Sequence, residues 1–496
     1  MTGILTNQPE FLNEIAEEMR LFIACEEIER LDCLPIMDEG DIVLKLFLRT
    51  HEGVWYVDAE CLQLQSGRVR MFNYEYSAPV RHETPLVEKR YRKRCVKIAA
   101  FRAMRGMFES YVPWGSLTGI RPTRLMRELI SEHSIEQASR IMLEDFDVSS
   151  EKLELASNIV AAQLPIIGMQ RKDDIDIYVG IPYCKTRCLY CSFASCVRTD
   201  KTDMRAYIDA LKQDIKHGSE IVDRGGYRVR AVYVGGGTPT VLTADELRDV
   251  LEFTIDSYGG FGAELTVEAG RPDTIDLDKL RVIKDCGATR VSINPQTMCE
   301  KTLKLIGREH TPSEIFRAFN MARDAGISVI NADVIAGLPG ENEDNMKHTM
   351  DKMALLAPEN LTVHTLALKR ASKLKERIAQ YPLPDAETAD NMVKICAQAA
   401  RDMDMYPYYM YRQKYMRGNL ENVGYTIAGA ECIYNIDMME ETTNIMAHGA
   451  GAMSKRIFDS QRRVERIPNP KDIDTYILKL NRTAGDKREL FLTDRN

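Results

Sequence analysis

Tyr178-Val-Gly-Ile-Pro-Tyr-Cys184-Lys-Thr-Arg-Cys188-Leu-Tyr-Cys191-Ser-Phe193 is the stretch on which the reading of the whole chain turns. Three cysteines stand in C-x3-C-x2-C spacing, directly after the strand-like run Asp176–Ile181. A loop this short can wrap one iron–sulfur cluster and give three thiolates to three irons. Thiolates suit the task because they are soft, anionic ligands. The fourth iron is then left without a cysteine and can take the amino and carboxylate groups of a cofactor. A zinc knuckle or three structural cysteines fit the spacing too. Structural zinc, however, favours four ligands in two pairs; Cys196 is the one further cysteine nearby, and no His accompanies it.

Working outward, β-branched runs recur at Arg230–Val234, Glu264–Glu268, Arg290–Ile293, Ser328–Val334 and Leu361–Leu366. Helical patterns separate them, among them Asp203–Val222, Ala244–Ser257, Pro312–Ala325 and Glu343–Leu356. Strands alternating with helices predict a parallel sheet with right-handed crossovers. Six units without a seventh and eighth predict an α/β fold, a partial (β/α)6 TIM-like barrel over 171–385. Residues 1–170 read as an α+β accessory domain. Helical spacing covers Glu14–Glu29, alternation marks Asp41–Leu48 and Gly53–Ala59, a basic helix covers Lys89–Met107, and Pro113–Leu125 is rich in turns. Residues 386–496 read as a mostly helical C-terminal domain, opening with a helix over Ala386–Met403.

Ligands of such barrels gather at the C-terminal strand ends, and polar residues collect there. The second strand runs into Val234-Gly-Gly-Gly-Thr-Pro-Thr240, whose bare backbone a ligand can approach closely. We assign Gly235, Gly236 and Gly237 to the methionine end of S-adenosylmethionine (SAM). The third strand ends on Glu268, whose carboxylate can accept from a ribose or an ammonium. Gln296 follows the fourth strand, Arg308 lies twelve residues further on, and the fifth strand carries Asp333.

The chain has 496 residues, 44% hydrophobic and 28% charged, which predicts an ordinary globular protein of two to four domains. Its formal net charge of -8 offers no global basic field for nucleic acid. No apolar run is long enough for a membrane helix and the first twenty residues lack a secretory signal, so a cytoplasmic location is expected. Eight of the twelve cysteines are scattered and read as small buried apolar residues. The tight cluster of four reads as metal binding rather than a disulfide framework.

Three further stretches are candidates for substrate. Lys89, Arg90, Arg92, Lys93, Arg94 and Lys97 could attract a polycarboxylate or form a solvated helix face; an RNA role lacks an aromatic platform. Tyr406, Tyr408, Tyr409, Tyr411 and Tyr415 could line a flat site or pack in a core. Asn419, Asn422, Gly424 and Tyr425 could form a cavity wall, and His448 could touch a ligand or serve structurally.

YVGIPYCKTRCLYCSF, GGGTPT, TVEAGRPDTI, RVSINPQTM, GREH and NADVIAGLPGE resemble the oxygen-independent coproporphyrinogen III oxidase family of radical SAM enzymes. WGSLTGIRPTRL resembles its HemZ-type coproporphyrinogen dehydrogenase branch. The resemblance implies a four-iron four-sulfur cluster on Cys184, Cys188 and Cys191, and one SAM or two. It places Tyr178 near cluster and cofactor, and Gly235, Gly236, Gly237, Thr238, Glu268, Gln296, Arg308 and Asp333 around SAM. It implies a C-terminal domain that covers a tetrapyrrole, and a donor such as flavodoxin or ferredoxin. The implied reaction uses a 5′-deoxyadenosyl radical to convert two propionates of coproporphyrinogen III to vinyl groups, giving protoporphyrinogen IX. A haem-binding chaperone of the same family and a methyl or alkyl transferase are the alternatives. The family's oxidases often carry a fourth cysteine where this chain has Phe193, and a His where it has Gly180. Phenylalanine at that place is shared with haem-chaperone relatives.

Overall fold

A computed structural model describes all of the chain except residues 26, 119–120, 194, 261–263, 370, 414–418, 459–462 and 494–496. Two compact units divide it, Met1–Ala156 and Ser157–Asn496.

In the first unit a five-stranded sheet runs in the order Glu29–Leu31, Thr2–Thr6, Ile42–His51, Val54–Gln65, Arg68–Pro79. The alternation read in the sequence is the alternation of this sheet. Leu44, Leu46, Trp55, Val57 and Ala59 face a core closed by Val96, Ala99, Ala103 and Met104 of the helix Pro85–Met107. The hydroxyl of Thr84 accepts from the Val87 N–H at 3.2 Å and starts that helix. Its basic residues are matched by acids: Arg92 with Glu10 at 2.8 Å, Lys93 with Glu14 at 3.5 Å, Arg94 with Asp145 at 3.4 Å, and buried Lys97 with Glu18 at 3.2 Å. These pairs make the run an ion-paired face. The helix expected over Glu14–Glu29 is shorter, Leu12–Met19. Phe22 and Ile23 kept the helical spacing in the sequence, yet they pack on the same core from the turn that follows.

The second unit contains the six expected parallel strands: β1 (Asp174–Ile181), β2 (Arg228–Gly236), β3 (Glu264–Gly270), β4 (Arg290–Ile293), β5 (Val329–Ala336) and β6 (Asn360–Thr365). Every residue of β4 is buried, as a strand covered on both faces must be. Intervening helices are capped at their first turns by Asp203, Thr243, Asp276, Thr311 and Asn342, three of them in reciprocal capping boxes. Such a cap contributes about 1 kcal/mol and fixes where the loop over the barrel mouth ends.

The barrel does not close on itself. The C-terminal stretch adds β7 (Tyr406–Tyr411), β8 (Asn422–Thr426), β9 (Asn444–His448), β10 (Met453–Phe458) and β11 (Arg463–Pro468). β8 pairs antiparallel with β6 and carries β7 outside it, while β9 pairs parallel with β1 and carries β10 and β11. One sheet of eleven strands results, so both edges of the barrel are covered. Three helices accompany these strands: Ala386–Asp402, Ile433–Glu440 and Ile473–Leu492. Asp437, on the second of these, pairs with Arg230 of β2 at 2.9 Å, among buried charges that include Asp176. The last helix is pinned by buried Lys487, whose ammonium donates to Asp214 at 2.7 Å and to the Ala447 carbonyl at 2.7 Å.

Among the described residues no helix is long and apolar enough to cross a membrane.

Candidate cluster and cofactor site

Pro182 ends β1 and the chain turns into the cysteine loop. Tyr183–Cys184 pairs with Cys196–Val197, and the Leu189 N–H donates to the Ile306 carbonyl at 2.9 Å, which closes the loop at both ends. Cys188 is buried, Cys184 and Cys191 are half-buried, and Cys196 is exposed. The Thr238 hydroxyl lies 3.7 Å from Cys184 Sγ, and the Arg271 guanidinium lies 3.7 Å from Cys188 Sγ. Arg271 also donates to Thr186, at 2.7 Å to its hydroxyl and 3.2 Å to its carbonyl, and is clamped by both oxygens of Asp273. This buried guanidinium therefore fixes the loop and offers positive charge to a thiolate. Burial pushes the Cys184 and Cys191 thiols up, so their protons leave when metal binds.

Among the described residues no three metal-type side chains converge on one point. A cluster sets each thiolate on a different iron, so three thiols around a short loop suit it where a single ion would be poorly held. The residues fit the group: three thiols, one hydroxyl and one arginine donor turned to them, and a glycine cradle beside them.

That cradle is the end of β2. A Cβ on Gly237 would stand 2.4 Å from the Tyr183 carbonyl oxygen, and one on Gly235 3.0 Å from the Glu268 carboxyl carbon. Gly236 has φ +110°, a conformation that glycine alone adopts without cost. Bare backbone here is thus required by the cysteine loop on one side and by Glu268 on the other. Tyr178 brings its hydroxyl within 3.3 Å of the point where a Gly236 Cβ would be, and its ring stacks on Tyr233 and Tyr434.

Glu268 is half-enclosed by the same groups. It accepts from the Tyr233 hydroxyl at 2.6 Å and from the Gly236 N–H. Burial pushes its pKa up to about 7; the Tyr233 hydrogen bond opposes the rise and the charge of Asp333 adds to it. Asp333 accepts from Asn331 at 2.8 Å, and His364 Nε2 lies 3.4 Å from it. Glu268 against the glycine turn, with the charge of Asp333 acting on it, favours a cation there.

Gln296 holds φ +69°, pinned by its N–H to the Asp333 carbonyl at 2.8 Å and by its carbonyl, which accepts from the Ile335 N–H at 2.9 Å. Among the described residues its buried side-chain oxygen has no partner. Strained backbone with an unspent polar atom is a mark of a ligand contact. Arg308, also buried, donates to the Asn294 carbonyl and, at 3.4 Å, to the hydroxyl of Tyr190, the residue before Cys191.

The structure therefore joins Cys184 to Thr238, Cys188 to Arg271, the glycines to Glu268 and Tyr178, and Gln296 to Asp333. Arg271, Tyr233 and His364 carry contacts that the sequence reading did not single out. Arg271 had a signal, since it follows the end of β3 directly; Tyr233 and His364 matter through register, which only pairing reveals.

Among the described residues the other candidates do not touch the cysteine loop or the glycine turn directly. Tyr408 and Tyr409 are buried in the core beside Ile436 and Tyr434, and Tyr415 falls outside the described residues. Gly424 and Tyr425 are buried within β8, and the Asn422 side chain accepts from the Thr365 N–H at 2.7 Å. His448 is buried, 2.6 Å from the Tyr258 hydroxyl and 3.3 Å from Asp214, so it is a structural residue.

With this geometry in view the chain can be set beside known proteins. Residues 178–353 match the radical SAM superfamily. The oxygen-independent coproporphyrinogen-III oxidase-like protein HemZ of Bacillus subtilis is 40% identical over 380 residues, 75% of this chain and 76% of that protein. The haem chaperone HemW of Lactococcus lactis is 27% identical over 327 residues, 64% of this chain and 80% of its own length. Among solved structures, coproporphyrinogen III oxidase (HemN) from Escherichia coli, a radical SAM enzyme, superposes with TM-score 0.53 at 22% identity, over 65% of this chain and 73% of that one. That likeness is one of fold.

Proposed function

The chain belongs to the radical SAM family of oxygen-independent coproporphyrinogen III oxidase-like proteins, and from that premise we propose that it removes carboxyl groups oxidatively from two propionates of coproporphyrinogen III, leaving vinyl groups and giving protoporphyrinogen IX. The family works with a four-iron four-sulfur cluster and SAM. The observation that carries the proposal is the bare turn Gly235–Gly237, which packs against Tyr183 of the cysteine loop on one side and the Glu268 carboxylate on the other.

In this reading Cys184, Cys188 and Cys191 hold three irons and leave the fourth to the cofactor. When bound, cluster and SAM together supply the one-electron chemistry that starts hydrogen abstraction. The protein's own residues bind and orient. Gly235–Gly237 admit the methionine end, Glu268 and Asp333 balance its positive charge, and Gln296 offers its free oxygen. Tyr178 closes the cradle beside Gly236, and Thr238 and Arg271 stabilise thiolate charge. Arg308 holds Tyr190 beside the third cysteine. The substrate would be covered by C-terminal residues, and an electron donor such as flavodoxin or ferredoxin would serve the cluster.

Phe193, 71% exposed where the family's oxidases often have a fourth cysteine, favours a second reading: a chaperone that carries haem. Anaerobic incubation of reconstituted protein with reductant, SAM and coproporphyrinogen III separates the two. Vinyl products support the oxidase. Stoichiometric haem uptake without decarboxylation supports the chaperone, and SAM cleavage with neither points to a methyl or alkyl transferase.

A further inference from the structure

Three pairs of side chains, each pair two residues apart on one strand, line up at the barrel mouth. β5 offers Asn331 and Asp333, β6 offers Thr362 and His364, and β7 offers Tyr409 and Tyr411. β8 intervenes between β6 and β7 and sets Gly424 opposite both Thr362 and Tyr409. A Cβ on Gly424 would stand 1.8 Å from the Tyr409 ring, so the missing side chain is what lets that ring cross β8.

Two polar arms result, one hydrogen-bonded throughout and one that ends in the His364–Asp333 charge contact. In one, the Tyr409 hydroxyl lies 3.1 Å from that of Thr362, which donates to Asn331 Oδ1 at 3.0 Å. In the other, the Tyr411 hydroxyl lies 3.1 Å from His364 Nδ1, and His364 Nε2 lies 3.4 Å from Asp333 Oδ2. Asn331 Nδ2 donates to Asp333 Oδ1 at 2.8 Å and joins the arms. The partners suit one tautomer of the ring. A proton on Nε2 faces the carboxylate and leaves Nδ1 to accept from the phenol.

We propose that His364 and Tyr411 are positioning residues of the cofactor site. Tyr411, from the C-terminal strand, sets the His364 ring, and His364 aims the Asp333 carboxylate into the barrel mouth. The proposal rests on the reading that Asp333 contacts SAM. With Oδ1 held by the Asn331 amide and Oδ2 facing the His364 ring at 3.4 Å, the carboxylate is oriented before the cofactor arrives. That preorganisation is what an electrostatic contact needs to be strong. It also makes β7, outside the six-stranded barrel, part of the cofactor site.

The test is SAM binding to anaerobically reconstituted protein, measured by equilibrium dialysis, with iron content and thermal melting as controls. His364→Ala and Tyr411→Phe are expected to weaken SAM binding about tenfold and several-fold respectively, the order of one hydrogen bond to a charged group. His364→Gln, which keeps a donor at the Nε2 position, should recover part of the loss even where His364→Ala is too unstable to use. In the double variant His364→Ala/Asp333→Asn, binding should be no weaker than in Asp333→Asn alone, because one acts through the other. Wild-type binding in His364→Ala and Tyr411→Phe, beside a loss in Asp333→Asn, would overturn the proposal and leave the assignment of Asp333 standing. Wild-type binding in Asp333→Asn would overturn both.

Discussion

Glu268 is the residue whose chemistry ties most of the site together. Its carboxyl sits between Tyr233, the Gly236 N–H and the charge of Asp333, and burial raises its pKa to about 7. A raised carboxylate pKa means that the folded state holds its proton more tightly than the unfolded one. The cost of ionising it in the fold is absent below about pH 4.5, grows as pH rises, and is complete above about 7. A cationic cofactor relieves that cost. SAM affinity of the reconstituted protein is therefore expected to fall as pH drops through 7, and Glu268→Gln to flatten the profile at a lower affinity. The same substitution should raise the melting temperature of the cofactor-free protein at pH 8 and leave it unchanged near pH 4. A SAM affinity flat from pH 6 to 8 in the wild type would contradict the assignment. Cys188 is read with equal directness. Cys188→Ala should abolish reductive SAM cleavage while far-UV circular dichroism stays native, and full cleavage would remove the cluster ligand assignment.

At the scale of elements, the last helix and β8 are the informative pieces. Lys487 and His448 face Asp214 inside the protein, with Tyr476 and Asn469 donating to its other oxygen at 2.9 and 3.1 Å. Burial alone would raise the Asp214 pKa, but Lys487 and His448 outweigh it and hold the carboxylate far below its ordinary range. Its contribution is present above about pH 4 and is lost only under strong acid. Removing one partner leaves a buried charge short of compensation. Lys487→Met should cost about 3–5 kcal/mol in urea unfolding at pH 7, and a loss under 1 kcal/mol would contradict the pin. Gly424→Ala puts a methyl into the Tyr409 ring, which must move. It should cost about 1–3 kcal/mol and weaken SAM binding with it.

Much at this scale was legible from spacing. The six runs from Asp176 to Leu366 became the six barrel strands because each needed only local β-branched composition and a capped helix after it. The helix expected through Glu29 stops at Met19 because Phe22 and Ile23 can reach the core from a turn as well as from a helix. The strand Tyr406–Tyr411 read only as an aromatic stretch, since Tyr409 and Tyr411 meet Thr362 and His364 of β6 only across β8.

For the whole molecule, the candidate site was legible where residues share a loop and illegible where they share only a register. Cys184, Cys188, Cys191 and the glycine turn carry their chemistry in their spacing. Arg271, Tyr233 and His364 acquire theirs when parallel strands bring β1, β2, β3, β5 and β6 to one mouth. The eleven-stranded sheet also explains why residues 386–496 cannot be a mere cover: β7 and β8 continue the barrel on one side and β9 to β11 on the other. Everything proposed for the site depends on a polypeptide that leaves one iron of a four-iron cluster for SAM. Electron paramagnetic resonance of anaerobically reconstituted, reduced protein tests it most directly. The reduced protein should give the signal of a four-iron four-sulfur cluster whose g-values shift when SAM is added, and lose that response in Glu268→Gln. A protein that takes up zinc instead, or a cluster signal that ignores SAM, would contradict it.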